Sequence, residues 1–514
     1  MSTIQQSEAV GTKEYAIMSK DELSGSSRNI DAEFGGAEER KKMEKKLLRK
    51  LDVRMSILIP MYMLNAIDRN AAAAARLRGF EEDLHLKGQE FATLLSILFV
   101  GYSLMQIPSN MLLNPDMGRP SIYIPVCMIV WGVISCLTGV THNFVGALLT
   151  RFWLGFVEAA FFPGAVFLLS KWYRREELGL RTAILYCGNI SSWGFGGLIA
   201  AGILGGMDGK LGHAGWRWLF YIEGAITIAV AFAAIFILPG FPRNTQWLDP
   251  MERRLAEVRM AEDAGGEADH VLSNEGVFRG FILAVKDWKV WWLALTLITL
   301  LVGLSFSTYF PTLSATLGYN YTISLLLVAP PWAFAAVVAF VVSRHADKTG
   351  ERFYHVACPV AVGIIGFVIA ESTTNIAARY TALFLMAQSH AGYIVLFAWI
   401  SNSLPRPSSK RAVALALCSS FSQLGNIAGS YVWQSKWGKS YRNSYGICIA
   451  CCGAAVAMCF VFRVHLVALN RRLDNGEVVD GMQRQRDGMD GSAELDDAFA
   501  EEVQTKRKEF RFVY

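Results

Sequence analysis

Residues 290–343 read VWWLALTLITLLVGLSFSTYFPTLSATLGYNYTISLLLVAPPWAFAAVVAFVVS and contain no Asp, Glu, Lys or Arg. A helix that crosses a bilayer needs about 20 apolar residues, because no water is available there to bind its backbone. This stretch is long enough for two such helices. Soluble proteins carry about 25% charged residues, whereas this chain of 514 residues carries 18% against 53% hydrophobic residues. The sequence therefore predicts a membrane protein.

Comparable apolar stretches recur along the whole chain. Charge-poor segments lie at residues 91–115, 120–150, 182–207, 218–241, 353–370, 380–405, 412–435 and 443–462. Two further stretches, 55–75 and 151–170, are interrupted by charged residues but are otherwise apolar. The segment 120–150 holds one helix and a short turn. The sequence predicts an all-α membrane protein with twelve transmembrane helices, which we call the first to the twelfth span in chain order.

Polar sequence divides these spans into two groups of six. Residues 1–50 form an amino-terminal tail, 240–287 a middle linker and 469–514 a carboxy-terminal tail. They leave halves at 51–239 and 288–468, and two similar six-helix halves are typical of transporters built from parallel repeats. Basic clusters such as ERKKMEKKLLRK (39–50) occur in the tails and the linker, and such clusters favour the cytoplasmic side. We therefore expect both termini to be cytoplasmic.

Composition and motifs exclude several other classes of protein. A net charge of +5 is too small to indicate a nucleic-acid partner. The nine cysteines all lie in apolar stretches, so neither a disulfide framework nor a zinc site is expected. The phosphate-binding motif GxxxxGK[ST] and the hydrolase motifs GxSxG and HExxH do not occur. We expect a monomeric protein of the lipid bilayer that is not an enzyme and needs no cofactor.

Two charged residues lie in the fourth span, within RFWLGFVEAAFFPG (151–164). Arg151 and Glu158 are seven residues apart, which places them on one helical face about 10 Å apart along the axis. They are too far apart to neutralise each other, and an ionisable side chain at the helix centre costs at least about 2.5–3.5 kcal/mol in a membrane. Each therefore needs a partner on another helix, a proton or a substrate. The alternatives are that Arg151 extends to the membrane interface and that Glu158 is a structural, hydrogen-bonded carboxylate.

The first and sixth spans add three more charged candidates. Asp68 and Arg69 follow the apolar part of the first span, and they face the cavity if the helix continues through the next alanines. A surface pair at the helix end is the alternative. Glu223 lies nearly two turns inside the sixth span, in GWRWLFYIEG, and is a candidate partner for a cation on the first or fourth span. An ion pair needed only for folding is the alternative for Glu223.

Uncharged polar residues in the spans are candidates for holding a substrate in a cavity between the halves. They are Tyr62, Asn65, Asn189, Tyr309, Gln388, His390, Tyr393, Gln423 and Asn426. Arg69 and Arg151 complete this candidate substrate site. A lone histidine on an apolar helix is also typical of a packed core residue, so His390 has this second interpretation.

Several motifs together resemble one known family. Besides the motifs of the fourth and sixth spans, they are ARLRGFEEDL (75–84), QIPSN (106–110), LLSKWYRREELGLR (168–181), LPGFPRNTQWL (238–248) and FPTLSATLGY (310–319). The chain resembles the major facilitator superfamily over about residues 50–470. Within it, the chain is similar to the anion:cation symporter branch, specifically the fungal allantoate permease and nicotinic acid transporter family. The resemblance implies transport by two rocking six-helix halves.

The resemblance also implies roles for two loops and one span. After the eighth span, SRHADKTGER matches the superfamily's loop motif at Asp347, Lys348, Gly350 and Arg352. In the matching loop after the second span, Asn114 stands where the acidic residue is expected, whereas Gly118 and Arg119 remain. Such loops latch helix ends by charge pairs that break as the halves move, and the first-half latch is expected to be altered. Arg151 with Gly155 matches the Arg-x-x-x-Gly motif, which implies a role in proton coupling.

We interpret the sequence as a proton-coupled symporter that takes up a small organic anion, such as a carboxylate, a vitamin-like acid or a ureide. Arg151, with Arg69 as second choice, would bind the carboxylate of the anion, because a positive charge in a low dielectric attracts an anion strongly. Glu158 would carry the proton. Asp68 and Glu223 would hold the arginines in the empty state.

The direction of transport and the membrane that holds the protein are inferred from different features of the sequence. Drug/proton antiporters of the superfamily carry a Gly-Pro pair in the fifth helix, whereas SWGFGG (192–197) has no proline. This favours uptake over export. An exporter of a small acidic or secondary metabolite is the alternative, and a non-transporting nutrient sensor is a more distant one. The resemblance implies the plasma membrane, where the sequon at Asn320 would lie near the outer surface.

Overall fold

The structure is a computed structural model of the chain, and it describes residues 31–112, 120–242, 245, 247–264, 277–403, 408–438 and 440–475. Almost all of these residues are helical. Nine helices in the described part are long and apolar enough to cross a membrane on their own, and three further helices complete the predicted set of twelve. The prediction of an all-α membrane fold with twelve spans in two halves is therefore confirmed. The residue limits of the tails, halves and linker stay predictions.

The spans follow one another along the chain as expected. Those of the first half are Leu58–Ala75, Glu90–Leu112, Pro120–Thr138, Phe144–Ser170, Arg175–Gly206 and Gly215–Ile237. Those of the second half are Trp288–Ser307, Tyr321–Thr349, Phe353–Ser372, Ile376–Ser403, Ser408–Ser430 and Arg442–Asp474. The first span continues through the alanines that follow Asn70, because alanine has the highest helix propensity. Asp68 and Arg69 consequently lie inside the span, not at a helix end.

The fourth span packs backbone to backbone against the second. A Cβ atom on Gly155 would lie 2.0 Å from the carbonyl oxygen of Leu98, and a Cβ atom on Gly101 would lie 2.2 Å from a backbone oxygen of the fourth span. Small residues at such positions allow transmembrane helices to approach closely. Arg151 and Glu158 lie about one turn on either side of Gly155. The close approach therefore fixes the helix face on which both charged side chains stand.

Two helices outside the spans pack together at one end of the bundle. The amino-terminal helix Ala37–Met55 leads into the first span, and the linker helix is Pro250–Ala264. Leu47 and Leu51 share a buried cluster with Leu255. Ion pairs between the two helices are Lys50 Nζ–Glu252 Oε1 at 2.7 Å and Arg40 Nη2–Glu262 Oε2 at 2.6 Å. We call this end of the molecule the linker side.

Several contacts between the two halves lie toward the opposite end. They include Arg76 Nη2 to Ser435 Oγ at 2.9 Å, Thr93 Oγ1 to the Tyr431 hydroxyl at 3.1 Å and the Arg78 guanidinium 4.3 Å from the Tyr321 ring centre. The indole rings of Trp193 and Trp332 stack at 5.0 Å between the fifth and eighth spans. The halves are therefore in contact on the side away from the linker and also deeper in the bundle, where Gln106 Nε2 donates to Ser419 Oγ at 2.9 Å.

Candidate functional site

Five charged side chains from the first, fourth and sixth spans lie within the first half. Asp68, Arg151, Glu158 and Glu223 are each at most 2% exposed. The side chain of Arg69 is 21% exposed. The low exposure of Arg151 rules out the alternative in which its side chain extends to the membrane interface. The sequence-predicted charges thus form one buried group.

Arg69 and Glu158 form an ion pair between the first and fourth spans. Arg69 Nε lies 3.1 Å from Glu158 Oε2, and Arg69 Nη2 donates to Asn65 Oδ1 at 3.1 Å. The guanidinium also lies 4.9 Å from the ring centre of Tyr102 on the second span. Arg69 is therefore held by three neighbours, but part of its side chain remains accessible.

Arg151 is held by backbone oxygens of the first span. Its Nη1 atom donates to the carbonyl oxygen of Arg69 at 3.1 Å and to that of Asp68 at 3.4 Å. The guanidinium lies 5.3 Å from the ring centre of Phe220. Its Nε and Nη2 atoms have no hydrogen-bond partner among the residues that the structure describes. Arg151 is thus a buried cation with two unused donor atoms.

Asp68 does not pair with either arginine through its carboxylate. Its two oxygens accept hydrogen bonds from Ser135 Oγ at 3.2 Å and Thr227 Oγ1 at 2.8 Å. Asp68 and Glu223 interact electrostatically with Arg151 but form no direct ion pair with it in the described part, so the expectation that they hold the arginines stays a prediction. Arg69 is held by Glu158, and Arg151 by backbone oxygens, because the rotation of the first span directs its carbonyl groups toward the fourth.

Two carboxylate oxygens in this cluster also lack partners within the described residues: Glu158 Oε1 and Glu223 Oε2. Buried polar atoms are nearly always hydrogen-bonded, so each exception needs an explanation. Leaving a buried charge without a partner costs several kcal/mol, about 3–5 where a buried pair is broken. The cluster therefore presents donors on Arg151 and acceptors on Glu158 and Glu223 that a ligand or proton would satisfy.

Tyrosines surround the Arg69–Glu158 pair. The Tyr62 ring stacks on Phe161 at 5.4 Å and meets the Tyr186 ring edge-on at 6.4 Å. Tyr62 also interacts electrostatically with Tyr102 and with Tyr393 of the tenth span. The structure thus brings Tyr62, Asn65 and Tyr393 of the predicted substrate site together around Arg69. Sequence analysis missed Tyr102 and Tyr186, for which the only signal was a hydroxyl within an apolar span.

The other predicted substrate-binding residues are engaged elsewhere. Gln388 donates to the Pro359 carbonyl oxygen at 2.8 Å, and the Tyr309 hydroxyl to that of Ser430 at 2.7 Å. His390 packs edge-on against Trp332 at 4.9 Å. Asn426 Nδ2 donates to Gln423 Oε1 at 2.9 Å, whereas Asn189 is half-buried in the fifth span. These contacts hold the second half together and are not joined to the charged cluster.

The loop residues implied by the resemblance are only partly described. Arg352 Nη2 lies 2.8 Å from Asp347 Oδ1, so this ion pair joins the end of the eighth span to the start of the ninth. Gly350 ends the eighth span with φ +67°, a left-handed conformation that glycine adopts without strain. Lys348 is exposed. Gly118 and Arg119 lie outside the described residues.

Comparison with known proteins identifies the family of this chain. A family model described as Major Facilitator Superfamily matches residues 58–430. The MFS-type transporter cnsO of Penicillium expansum is 33% identical over 82% of this chain and 82% of its own. A putative tartrate transporter of Agrobacterium vitis is 30% identical over 75% of this chain and 87% of its own.

A solved structure shares the fold. It is a bacterial homologue of the human lysosomal transporter Spinster, in an inward-facing and occupied conformation, with a TM-score of 0.61 over 79% of this chain and 95% of that one. At 18% identity this likeness concerns the fold alone. The family model covers most of the chain, and the chain matches most of the length of the two relatives described above. The chain therefore belongs to the Major Facilitator Superfamily and is a multi-pass membrane transporter, not an enzyme.

Proposed function

We propose that this transporter couples the uptake of a small organic anion to protons, as a member of the anion:cation symporter branch. The observation that carries the proposal is Arg151, a buried cation whose Nε and Nη2 atoms have no partner among the described residues. An arginine donates two parallel hydrogen bonds to a carboxylate, and such charge-assisted pairs are stronger than neutral ones. A carboxylate would satisfy both unused donors at once.

The ion pair between Arg69 and Glu158 supports proton coupling. An anion that approaches the exposed part of Arg69 competes with Glu158 for the same guanidinium. When Arg69 leaves Glu158, the buried carboxylate has lost its ion-pair partner. Burial then favours the neutral form, so Glu158 takes up a proton. Protonation of Glu158 conversely frees Arg69 for the anion. Because coupling between two sites is reciprocal, each ligand strengthens binding of the other.

The surroundings of Arg69 favour a compact, partly planar acid. Tyr62, Tyr102 and Tyr393 offer ring faces and hydroxyl groups near this cation. Asn65 Nδ2 is a further buried donor without a described partner. The relative from Agrobacterium vitis is a putative tartrate transporter, which supports a carboxylate as substrate. A carboxylic acid, a vitamin-like acid or a ureide fits this chemistry.

Alternating access follows from where the halves touch. The contacts of Arg76, Trp193 and Tyr431 join the halves away from the linker side. Transport requires these contacts to break so that the charged cluster opens to the other compartment. We propose that the linker side is cytoplasmic, that the membrane is the plasma membrane and that the monomer is the transporting unit.

Uptake into proteoliposomes tests this proposal. Purified protein would be reconstituted and given radiolabelled tartrate, nicotinate or allantoate with an imposed pH gradient of either sign, or with none. We expect accumulation of at least one acid when the starting compartment is acidic, and its collapse with a protonophore. Accumulation driven only from the opposite direction would instead indicate an exporter. Equal uptake with and without a gradient for every transported acid would contradict proton coupling.

A further inference from the structure

A second polar site lies where the two halves meet. It is a pocket between the first, fifth and sixth spans of one half and the seventh and eighth spans of the other. Its polar lining residues are Asn70, Ser192, Glu223, Ser307 and Thr308. Arg69, Arg151 and Glu158 do not line it. The pocket therefore shares Glu223 with the charged cluster but none of the residues proposed above to bind the organic anion.

The donor groups of this pocket are already engaged by nearby backbone. Asn70 Nδ2 donates to the Ala66 carbonyl oxygen at 2.7 Å. The hydroxyl groups of Ser192 and Ser307 each donate to a carbonyl oxygen three residues earlier in their own chain segment. A hydroxyl group that donates a hydrogen bond still has oxygen lone pairs that can accept one. These three residues consequently offer acceptor oxygens to anything in the pocket.

Glu223 is the charged residue in the lining of this pocket. It is 2% exposed, and its Oε2 atom has no hydrogen-bond partner within the described residues. The charged groups that face it are Asp68 on the first span and Arg151 on the fourth. The lining residues from the fifth, seventh and eighth spans, such as Trp193 and Val328, are neutral. One carboxylate with several neutral oxygens is the ligand set that a small hard cation prefers.

We propose that this pocket binds a monovalent cation, either a proton on Glu223 or Na⁺ between Glu223 and the neutral oxygens. Both halves contribute to its lining, so separation of the halves takes Ser307 and Thr308 away from Glu223. The cation would therefore enter from the side away from the linker when the halves are parted, and the pocket would close around it when they touch. Its role as a coupling ion rests on the symport proposed above, whereas the site itself does not.

Direct binding measurements on the full-length protein in lipid nanodiscs test the site. The first readout is binding of radioactive Na⁺, with choline as the replacing cation. The second is the infrared carbonyl band of protonated carboxylic acids, followed as the pH is raised from acidic to alkaline values. The variants are Glu223→Gln, Ser307→Ala and, as a matched control, Glu371→Gln at the end of the ninth span, outside the pocket. Glu223→Asp keeps the carboxylate and serves if Glu223→Gln does not fold.

The two cations give different results. A Na⁺ site predicts saturable binding that Glu223→Gln abolishes, Ser307→Ala and Glu223→Asp weaken and Glu371→Gln leaves intact. A proton site predicts no Na⁺ binding but a titrating carbonyl band that Glu223→Gln removes, that Glu223→Asp shifts and that Ser307→Ala retains. The proposal is overturned if Na⁺ binding and the titrating bands are the same in Glu223→Gln as in the unmodified protein. These readouts involve no anion transport, so they succeed or fail independently of the proposed symport.

Discussion

Arg69 Nε lies 3.1 Å from Glu158 Oε2, and this ion pair joins the first span to the fourth. The carboxylate end is fully buried, while the arginine side chain is 21% exposed. A substrate therefore reaches the cation of the pair before it reaches the anion. In the proposed coupling cycle, the acid binds to Arg69 and the proton binds to Glu158, so both events involve this ion pair.

Glu158→Gln should separate transport from proton coupling. The amide keeps the shape of the side chain but can neither carry the charge that holds Arg69 nor exchange a proton. We expect the variant to lose accumulation driven by a pH gradient while it still exchanges labelled for unlabelled acid across the membrane. Both assays use the same proteoliposomes, with Glu371→Gln as the matched control. Normal gradient-driven accumulation by Glu158→Gln would remove Glu158 from the proton pathway.

Arg151→Lys should weaken substrate binding even though it keeps the positive charge. Lysine presents one compact ammonium group and lacks the planar fork that binds a carboxylate through two parallel bonds. Loss of a hydrogen bond to a charged group is worth about 1.5–3 kcal/mol, so we expect KM to rise at least about tenfold. Initial rates of exchange at graded concentrations measure this. An unchanged KM would show that Arg151 does not bind the anion.

Sequence spacing predicted part of this site correctly. The spacing of seven residues placed Arg151 and Glu158 on one helical face, and the structure gives each a different hydrogen-bond partner. The spacing did not predict which residue is the partner of Arg151 or of Glu158. That choice depends on how the first span is rotated, which brings the Arg69 side chain to Glu158 and backbone oxygens to Arg151. Helical periodicity within one span carries no information about the rotation of its neighbour.

The hydroxyl partners of Asp68 were beyond sequence analysis for a related reason. Ser135 and Thr227 lie in the third and sixth spans, and serine and threonine in helices commonly bond to backbone of their own segment. In this protein they donate to a carboxylate on another helix. Tyr102 and Tyr186 were missed because aromatic residues within a span are most often packing residues. The twelve spans themselves were predictable, because the absence of water in the bilayer core imposes length and polarity on each helix separately.

Gly155→Ala should destabilise the first half. Its Cβ atom would lie 2.0 Å from the Leu98 carbonyl oxygen, so the second and fourth spans would have to move apart. Overpacking of this kind typically costs about 1–3 kcal/mol, and we expect a lower Tm together with slower transport because Arg151 and Glu158 shift. Gly202→Ala is the matched control, since no atom lies within 4 Å of its Cβ position. Equal Tm values for the two variants would contradict the close helix approach.

The contact between the amino-terminal helix and the linker helix should depend on pH through Glu252. Burial raises the pKa of this carboxyl group, but hydrogen bonds from Lys50 and Lys46 outweigh that effect, so its pKa lies below its usual value. A group whose pKa is lowered by folding contributes stability above its unfolded pKa, about 4.3 for glutamate, and this stability is lost as the pH falls through the folded pKa. Hydrogen exchange of Pro250–Ala264 would measure the effect at a series of acidic pH values.

We expect protection of the linker helix to be constant from neutral pH down to about pH 4.3 and to decrease below it. Glu252→Gln should lower the protection at neutral pH and remove the additional loss in acid, because the amide cannot form the ion pairs with Lys50 and Lys46. Glu257→Gln, on the same helix but outside these ion pairs, is the matched control and should follow the unmodified protein. If Glu252→Gln and the unmodified protein lose protection in parallel as the pH falls, the ion pairs of Glu252 do not hold the linker helix in place.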